Sequence, residues 1–212
     1  MTILALEFSS ERRSVALARN GEVLSEAVEQ TGGRGTKAFG LIEKALSEAG
    51  MARSEIKVIA VGLGPGSYTG IRAAIALAQG WQLATGVKLL GISSAEAVAA
   101  QAQADGIQGE VNVVIDAQRG EFYLATWEIS AARRREVSPL KIVSGSEVCA
   151  LKLAGRICVG PCESTGEIIF PSAKMVAKLA ASRTDFTPAS ELVPFYLRET
   201  TFVKAPPARL VL

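Results

Sequence analysis

Residues 57–63, KVIAVGL, form an unbroken apolar run bounded by turn signals. Such a run reads as a strand buried on both faces, and a strand of that kind needs packed layers above and below it. The chain goes directly on into GLGPGSYTGIR (62–72) and the alanine-rich AAIALAQGWQLA (73–84). This is the layout of strand, tight turn and helix start. Gly64, Gly66 and Gly70 supply backbone conformations that a Cβ would obstruct, Pro65 presets a turn, and Ser67 is placed to cap the helix. A glycine-rich turn at a helix N-terminus offers unpaired N–H groups and the positive end of the helix dipole, so it also suits an anion. Two readings follow, a rigid turn that orients the helix and a phosphate cradle, and the first is preferred. Arg72 falls in the first helical turn. A cation there opposes the dipole at a cost of about 0.3–1 kcal/mol. It therefore predicts a partner: a carboxylate such as Glu7, or a bound anion.

The flanking segments extend the layered reading. ILALEFSS (3–10), SVALARN (14–20) and VLSEAVEQ (23–30) alternate or run apolar around the charged ERR and the Asn20-Gly21 turn signal. They predict three antiparallel strands. TGGRG (31–35) is a loop, and 36–50 a helix with Phe39, Ile42 and Leu46 on one face and Gly50 as its stop. The segment 71–85 predicts a helix apolar almost all round, 88–93 a strand, and 94–104 a helix opening on a serine cap. After Asp105-Gly106 a second block starts, with strands at 111–117, 121–129, 140–144 and 156–160 and a helix at 172–182. AARRREVSP (131–139) reads as a solvated basic turn, and the chain from Thr184 as irregular. The predicted fold class is α/β, with lobes at 1–105 and 106–212, the second smaller and α+β.

Composition removes several chemistries. The chain has 212 residues and no histidine, which excludes every His-based triad, every zinc site with a His ligand and the usual neutral-pH base. Cys149, Cys158 and Cys162 are odd in number and irregularly spaced, so they predict buried thiols rather than a disulfide framework or a metal cage. The net charge of +2 makes no case for independent nucleic-acid binding, and no basic stretch is interleaved with aromatics. MTILALEFSS lacks a basic start, and no apolar run approaches the ~20 residues of a bilayer span, so a soluble cytoplasmic protein with no membrane contact is expected.

Several segments together resemble one family. LALEFSSERRSVAL is similar to the first phosphate-binding hairpin of the actin-like ATPases. GLGPGSYTGIR resembles the GPGSFTGLR signature of the TsaB (YeaZ) family, VIDAQRGEFYLATW its ARxGEVY, and PFYLRE (194–199) its PxYLR. The resemblance implies a ribonuclease H-like first lobe of the actin-like (ASKHA) fold. It implies a non-catalytic subunit that pairs with TsaD to support threonylcarbamoylation of adenosine 37 in tRNAs reading ANN codons. TsaE is the further partner it implies, with a homodimer when alone and tRNA met only through the complex. The expected pairing face comprises Phe39, Ile42 and Leu46 of one helix and Ile71, Ile75 and Gln79 of the next. The candidate anion or nucleotide contacts are Glu7, Ser9, Ser10, Gly64, Gly66, Ser67 and Arg72. No catalytic residue, metal ligand or cofactor of its own is expected, a nucleotide being placed only at the complex interface. TsaD binds its metal through an HxxxH pair, which a chain without histidine cannot supply. Glu7-Phe8-Ser9-Ser10 departs from the family's IDTS, and Arg34-Gly35 stands where the family has His-Ser. The alternatives are an actin-like phosphotransferase or glycoprotease-type hydrolase, and a diverged homodimeric paralogue.

Overall fold

The computed structural model describes residues 1–30, 37–195 and 197. The loop 31–35 with Arg34-Gly35, and Tyr196, Arg198 and Glu199 of the tail segment, lie outside the described residues. Strands β1 (Thr2–Glu7), β2 (Arg12–Arg19) and β3 (Glu22–Gln30) form the antiparallel meander expected from their alternation. Asn20 and Gly21 turn the second hairpin with positive φ at both positions. Helix α1 (Ala38–Ala49) stops at Gly50 in the left-handed conformation. Strands β4 (Val58–Gly62) and β5 (Lys88–Ile92) join in parallel, giving the order β3-β2-β1-β4-β5. All five residues of β4 are buried, as its unbroken apolar sequence requires.

Each face of this sheet is covered. Helices α1 and α2 (Tyr68–Thr85) cover one, packing Leu41, Ile42, Leu46, Ile71 and Ile75 over Leu4, Leu6, Val15, Ile59 and Val61. The other carries α5 (Ala173–Ala180) and one side of α3 (Ser94–Ala104), over Ile3, Ala5, Ala16 and Ala60. The opposite side of α3, through Ala95, Val98, Ala99 and Ala102, packs on a second sheet against Val111, Val113, Ala125 and Trp127. Small side chains let one helix lie between two sheets, because no bulky residue holds either sheet away.

That second sheet comprises β6 (Gly109–Asp116), β7 (Glu121–Ile129), β8 (Arg134–Ser144), β9 (Ile157–Gly160) and β10 (Glu167–Ile168). Its order, β8-β7-β6-β9-β10, repeats the first sheet strand for strand, with the same parallel and antiparallel pairs. Helix α4 (Gly145–Leu153) stands where α1 stands in the first lobe. The counterpart of α2 is reduced to the turn 161–166. The second lobe is thus a shortened copy of the first, where the sequence suggests only an irregular α+β block. The basic stretch 131–139 is likewise a correction. From Arg134 onward it is strand β8, and Arg134 reaches back to α3, bonding Gln103 at 2.9 Å and Glu96 at 3.6 Å.

The boundary at 105/106 separates the sheets but not the cores. Helix α5 comes from the second half of the chain and completes the first lobe, and Thr187 and Phe195 add backbone bonds to Leu89 (2.9 Å) and Leu63 (3.0 Å). Met175 of α5, 3% exposed, lies in the first lobe's core. Truncating a buried methionine costs about 2–5 kcal/mol. Trp81 packs against the first lobe's core and Trp127 within the second's. In a Trp127→Phe background, Met175→Ala is expected to lower the stability read from Trp81 fluorescence in a urea titration by that amount. An unchanged midpoint would show that α5 does not support the first sheet.

Candidate functional site

The ends of β1, β4 and β5 meet at a cleft between the lobes. Its volume is about 650 Å³, and the β1–β2 turn, the glycine turn, the β6–β7 turn and Phe195 line it. The glycine turn leans directly on the β1–β2 turn. A Cβ at Gly66 would collide with the Ser9 carbonyl, and one at Gly70 with the Phe8 carbonyl. Ser67 N–H donates to the same Ser9 carbonyl at 2.6 Å. Gly64 N–H donates to Ser94 Oγ (3.1 Å), and Gly70 N–H to the capping Ser67 Oγ (3.4 Å). Three N–H groups of the turn are therefore committed inside the chain. Glu11 and Asp116 also line the cleft, while among the described residues no Lys or Arg does. A bare phosphate here would meet two carboxylates and no cation, so the geometry favours the reading as a rigid turn.

Glu7 ends β1 and is completely buried. Its Oε1 accepts from Ser9 N–H at 2.7 Å, and Oε2 from Ser94 Oγ at 2.8 Å. Ser94 Oγ in turn accepts from Gly64 N–H, so one hydroxyl joins β1, the glycine turn and the start of α3. Gly62 is required beneath this carboxylate, since a Cβ there would overlap it. Burial pushes the Glu7 carboxyl above its ordinary range, and donation from Ser9 and Ser94 opposes that push only in part. The Ser9 hydroxyl, itself buried, lies near the carboxylate but makes no well-aligned hydrogen bond. Ser10 Oγ donates to the Arg12 carbonyl at 3.0 Å.

Arg72 does not meet Glu7. It donates to Tyr68 Oη at 2.8 Å, and its guanidinium lies 5.2 Å from the centre of that ring. This corrects the expected carboxylate partner: Glu7 is sealed below the turn, while Tyr68 and Arg72 share the outer side of α2 one turn apart. The i,i+4 spacing of Tyr68 and Arg72 is the sequence signal for that contact. Asp116 is a site residue that the sequence does not single out. Gln118 holds both its oxygens, through the backbone N–H at 2.7 Å and Nε2 at 2.8 Å. Gln118 and Arg119 adopt positive φ of 65° and 61° to make that turn. Among the described residues, no three Asp, Glu or Cys side chains converge on a metal-sized space.

The residues expected on the pairing face divide. Ile42, Leu46, Ile71 and Ile75 are buried in the subunit's own core. Gln79 Nε2 donates to the Ala189 carbonyl at 2.7 Å. Phe39 alone points outward, 67% exposed, because it lies about a quarter-turn from the stripe that faces the sheet. The surface actually presented by α2 includes Ala76, Gly80, Leu83 and Ala84, and no charged residue occurs between Ala73 and Thr85. Leu83 is 91% exposed.

Fold and site together define a two-lobed α/β protein whose interlobe cleft is floored by an internally satisfied carboxylate. The family described as TsaD, tRNA N6-adenosine threonylcarbamoyltransferase, matches residues 36–196. The chain is 29% identical over 140 residues to the tRNA threonylcarbamoyladenosine biosynthesis protein TsaB of Bacillus subtilis, covering 66% of this chain and 60% of that protein. It is 31% identical over 128 residues to TsaB of Escherichia coli, covering 60% and 55%. The solved structure of YeaZ from Pseudomonas aeruginosa superposes with a TM-score of 0.77 at 26% identity, covering 92% of this chain and 99% of that one. The chain belongs to this family, in its TsaB (YeaZ) group. Its matches span little more than half the length of these two curated relatives.

The buried Glu7 makes a testable contribution to stability. Because its folded pKa is raised, the folded state holds the proton more tightly than the unfolded chain does. Stability linked to Glu7 is therefore lost as pH rises from about 4.5, its ordinary value, through the folded value. Glu7→Gln removes the charge and keeps an acceptor for Ser9 N–H. Relative to the unmutated chain, its melting temperature is expected to improve steadily as pH is raised from 4.5 and then to level off. A difference independent of pH would show that Glu7 does not titrate against burial.

Proposed function

We propose that the chain is a cytoplasmic, non-catalytic subunit of tRNA threonylcarbamoyladenosine synthesis, acting by pairing its α1–α2 face with TsaD and dimerising through the same face when alone. TsaE is the third protein component of this reading. The observation that carries it is the outer face of α2. Gly80 sits in mid-helix, where glycine costs about 1 kcal/mol relative to alanine. Nothing lies within 4 Å of a Cβ built there, so the subunit's own packing does not call for it. An uncharged surface with a glycine at its centre lets a second helix approach closely, and Leu83 and Phe39 supply apolar area at the flanks. Burying Leu83 alone contributes about 1.5–3 kcal/mol.

The cleft supports the non-catalytic part of this reading. Glu7 is buried and Asp116 tied up, no cation lines the cleft among the described residues, and the chain has no histidine. A nucleotide at the complex would need its cations from the partner. The effect on modification then travels through TsaD, limited by the difference in this subunit's affinity for TsaD's two states. No helix among the described residues is long and apolar enough to cross a membrane.

Two measurements test this. The purified chain is expected to hydrolyse neither ATP nor peptide above buffer; a turnover abolished by Glu7→Ala would promote the enzyme reading. Gly80→Ala is expected to stabilise the isolated subunit by up to about 1 kcal/mol while weakening pairing. Gly80→Leu and Leu83→Glu should yield folded monomers by light scattering and fail to support TsaD in a reconstituted assay. A homodimer that forms without capturing TsaD would favour the paralogue reading. An unmutated chain that is monomeric and ignores TsaD would overturn both.

A further inference from the structure

The opposite ends of β4 and β5 from the cleft carry a second concavity, of about 450 Å³. Its floor is apolar, from Ile56, Val58 and Val87, and its rim bears Arg53, Lys57, Lys88 and Phe186. Among the described residues, no Asp or Glu lines it. Lys57 and Lys88 stand at the starts of neighbouring parallel strands, with Lys88 N–H donating to the Lys57 carbonyl at 3.0 Å. Val58 is the residue in register with Lys88, so the two side chains leave on opposite faces of the sheet and meet the concavity from its two sides. Elsewhere in the chain, surface arginines take carboxylates: Arg19 with Glu55, Arg53 with Glu43, Arg135 with Glu128, Arg183 with Asp185. These two lysines do so with none of the described residues. Lys57 Nζ turns to the Ser54 carbonyl at 3.5 Å, and Lys88 Nζ stands 4.4 Å from the centre of the Phe186 ring. A carbonyl and an aromatic face hold an ammonium in place without cancelling its charge.

We propose that this concavity is a docking point for the phosphate backbone of RNA, with Lys57 and Lys88 as the phosphate-binding pair. This rests on the reading of the chain as a subunit of a tRNA-modifying complex, and it adds direct RNA binding to a chain whose net charge is only +2. The carbonyl end of α2, at Thr85 and Gly86 on the rim, contributes about half a negative charge against the two lysines. The local balance therefore remains positive. The concavity sits where α2 ends, and its lining does not include Phe39, Ala76, Gly80 or Leu83 of the proposed pairing face.

The test uses the full chain, alone and paired with TsaD, with unmodified tRNA, a single-stranded oligoribonucleotide and inorganic phosphate as separate probes. Removing one phosphate-neutralising lysine reduces the slope of log affinity against log salt by roughly 0.7–0.9. Lys57→Gln/Lys88→Gln is expected to lower that slope by about 1.5 and to weaken RNA binding roughly 10-fold or more, with the melting temperature and pairing unchanged. Lys57→Glu/Lys88→Glu should weaken it further. Inorganic phosphate at millimolar concentration should compete with RNA on the unmutated chain and lose that effect in both variants. RNA binding and salt slope unchanged in both variants, with TsaD still supported, would overturn the site and leave the subunit reading standing. Pairing abolished while RNA binding persists would overturn it in favour of an acidic protein partner. RNA binding that disappears with the lysines in a chain that ignores TsaD would keep the site and remove the subunit reading.

Discussion

One hydroxyl ties the molecule together. Ser94 Oγ accepts a hydrogen bond from Gly64 N–H and donates its own proton to Glu7, at 3.1 and 2.8 Å. These groups lie at the carboxyl ends of β4, β1 and β5, and Ser94 is also the first residue of α3. An unpartnered carboxylate in this position would cost several kcal/mol, so the chain holds it only because each oxygen has a donor. The position of the glycine turn, the entry of α3 and the closure of the cleft floor are consequences of satisfying that one buried group. Gly62 is part of the same solution, since any side chain there would occupy the carboxylate's space.

From Ser94 the constraint passes along α3. This helix is not amphipathic in the ordinary sense: Ala97 and Ala100 face the first sheet while Ala95, Val98, Ala99 and Ala102 face the second. Two sheets of the same topology share one thin helix, and Arg134 clamps its outer edge through Glu96 and Gln103. The second lobe lacks a helix corresponding to α2, and its face under α4 is covered only around Val114, Leu124, Val143, Val148 and Cys158. It takes its main core from α3 instead. The first lobe likewise depends on the end of the chain, through α5. Neither half encloses its own core, which is why a boundary drawn at a loop describes the sheets and misses the packing.

What the sequence makes legible follows from how local each cause is. The meander, β4, the glycine turn with its Ser67 cap, and α2 rest on alternation, unbroken apolarity and capping, all within a few residues. Helix α4 escapes because only Val148 of GSEVCALKL is buried, leaving no stripe to read. Of strand β8 the sequence marks only 140–144; its first part escapes because this is an edge strand with a mostly exposed face, led by charge and containing Pro139. At the site, Glu7, Ser9, Ser67 and the glycines are visible as residue types, but the Glu7–Ser94 bond spans 87 positions and leaves no local trace. In α1 the sequence suggests a stripe through Phe39, Ile42 and Leu46, whereas the buried stripe runs Ala38, Leu41, Ile42, Ala45, Leu46. A small alanine on the true face and a large phenylalanine beside it shift the apparent orientation. Lys57, Lys88 and Phe186 come from three distant segments and meet only in the folded chain.

The same burial that stabilises the fold bears on what the cleft can do. For Glu7 to act on a ligand it would have to leave Ser9 and Ser94, stranding the Gly64–Ser94 contact and opening the floor between β1 and β4. Stripping a buried group of its hydrogen-bond partners typically costs a few kcal/mol, a large fraction of the total stability of a domain this size. A second cleft carboxylate, Asp116, would have to release both bonds to Gln118 and the positive-φ turn they hold. Both acidic groups are thus committed to building the cleft. The surfaces with uncommitted capacity lie elsewhere, on the uncharged flank of α2 and at the two lysines beyond its carbonyl end. In this chain the buried carboxyl and the glycine turn tie the starts of α2 and α3 to the ends of β1 and β4.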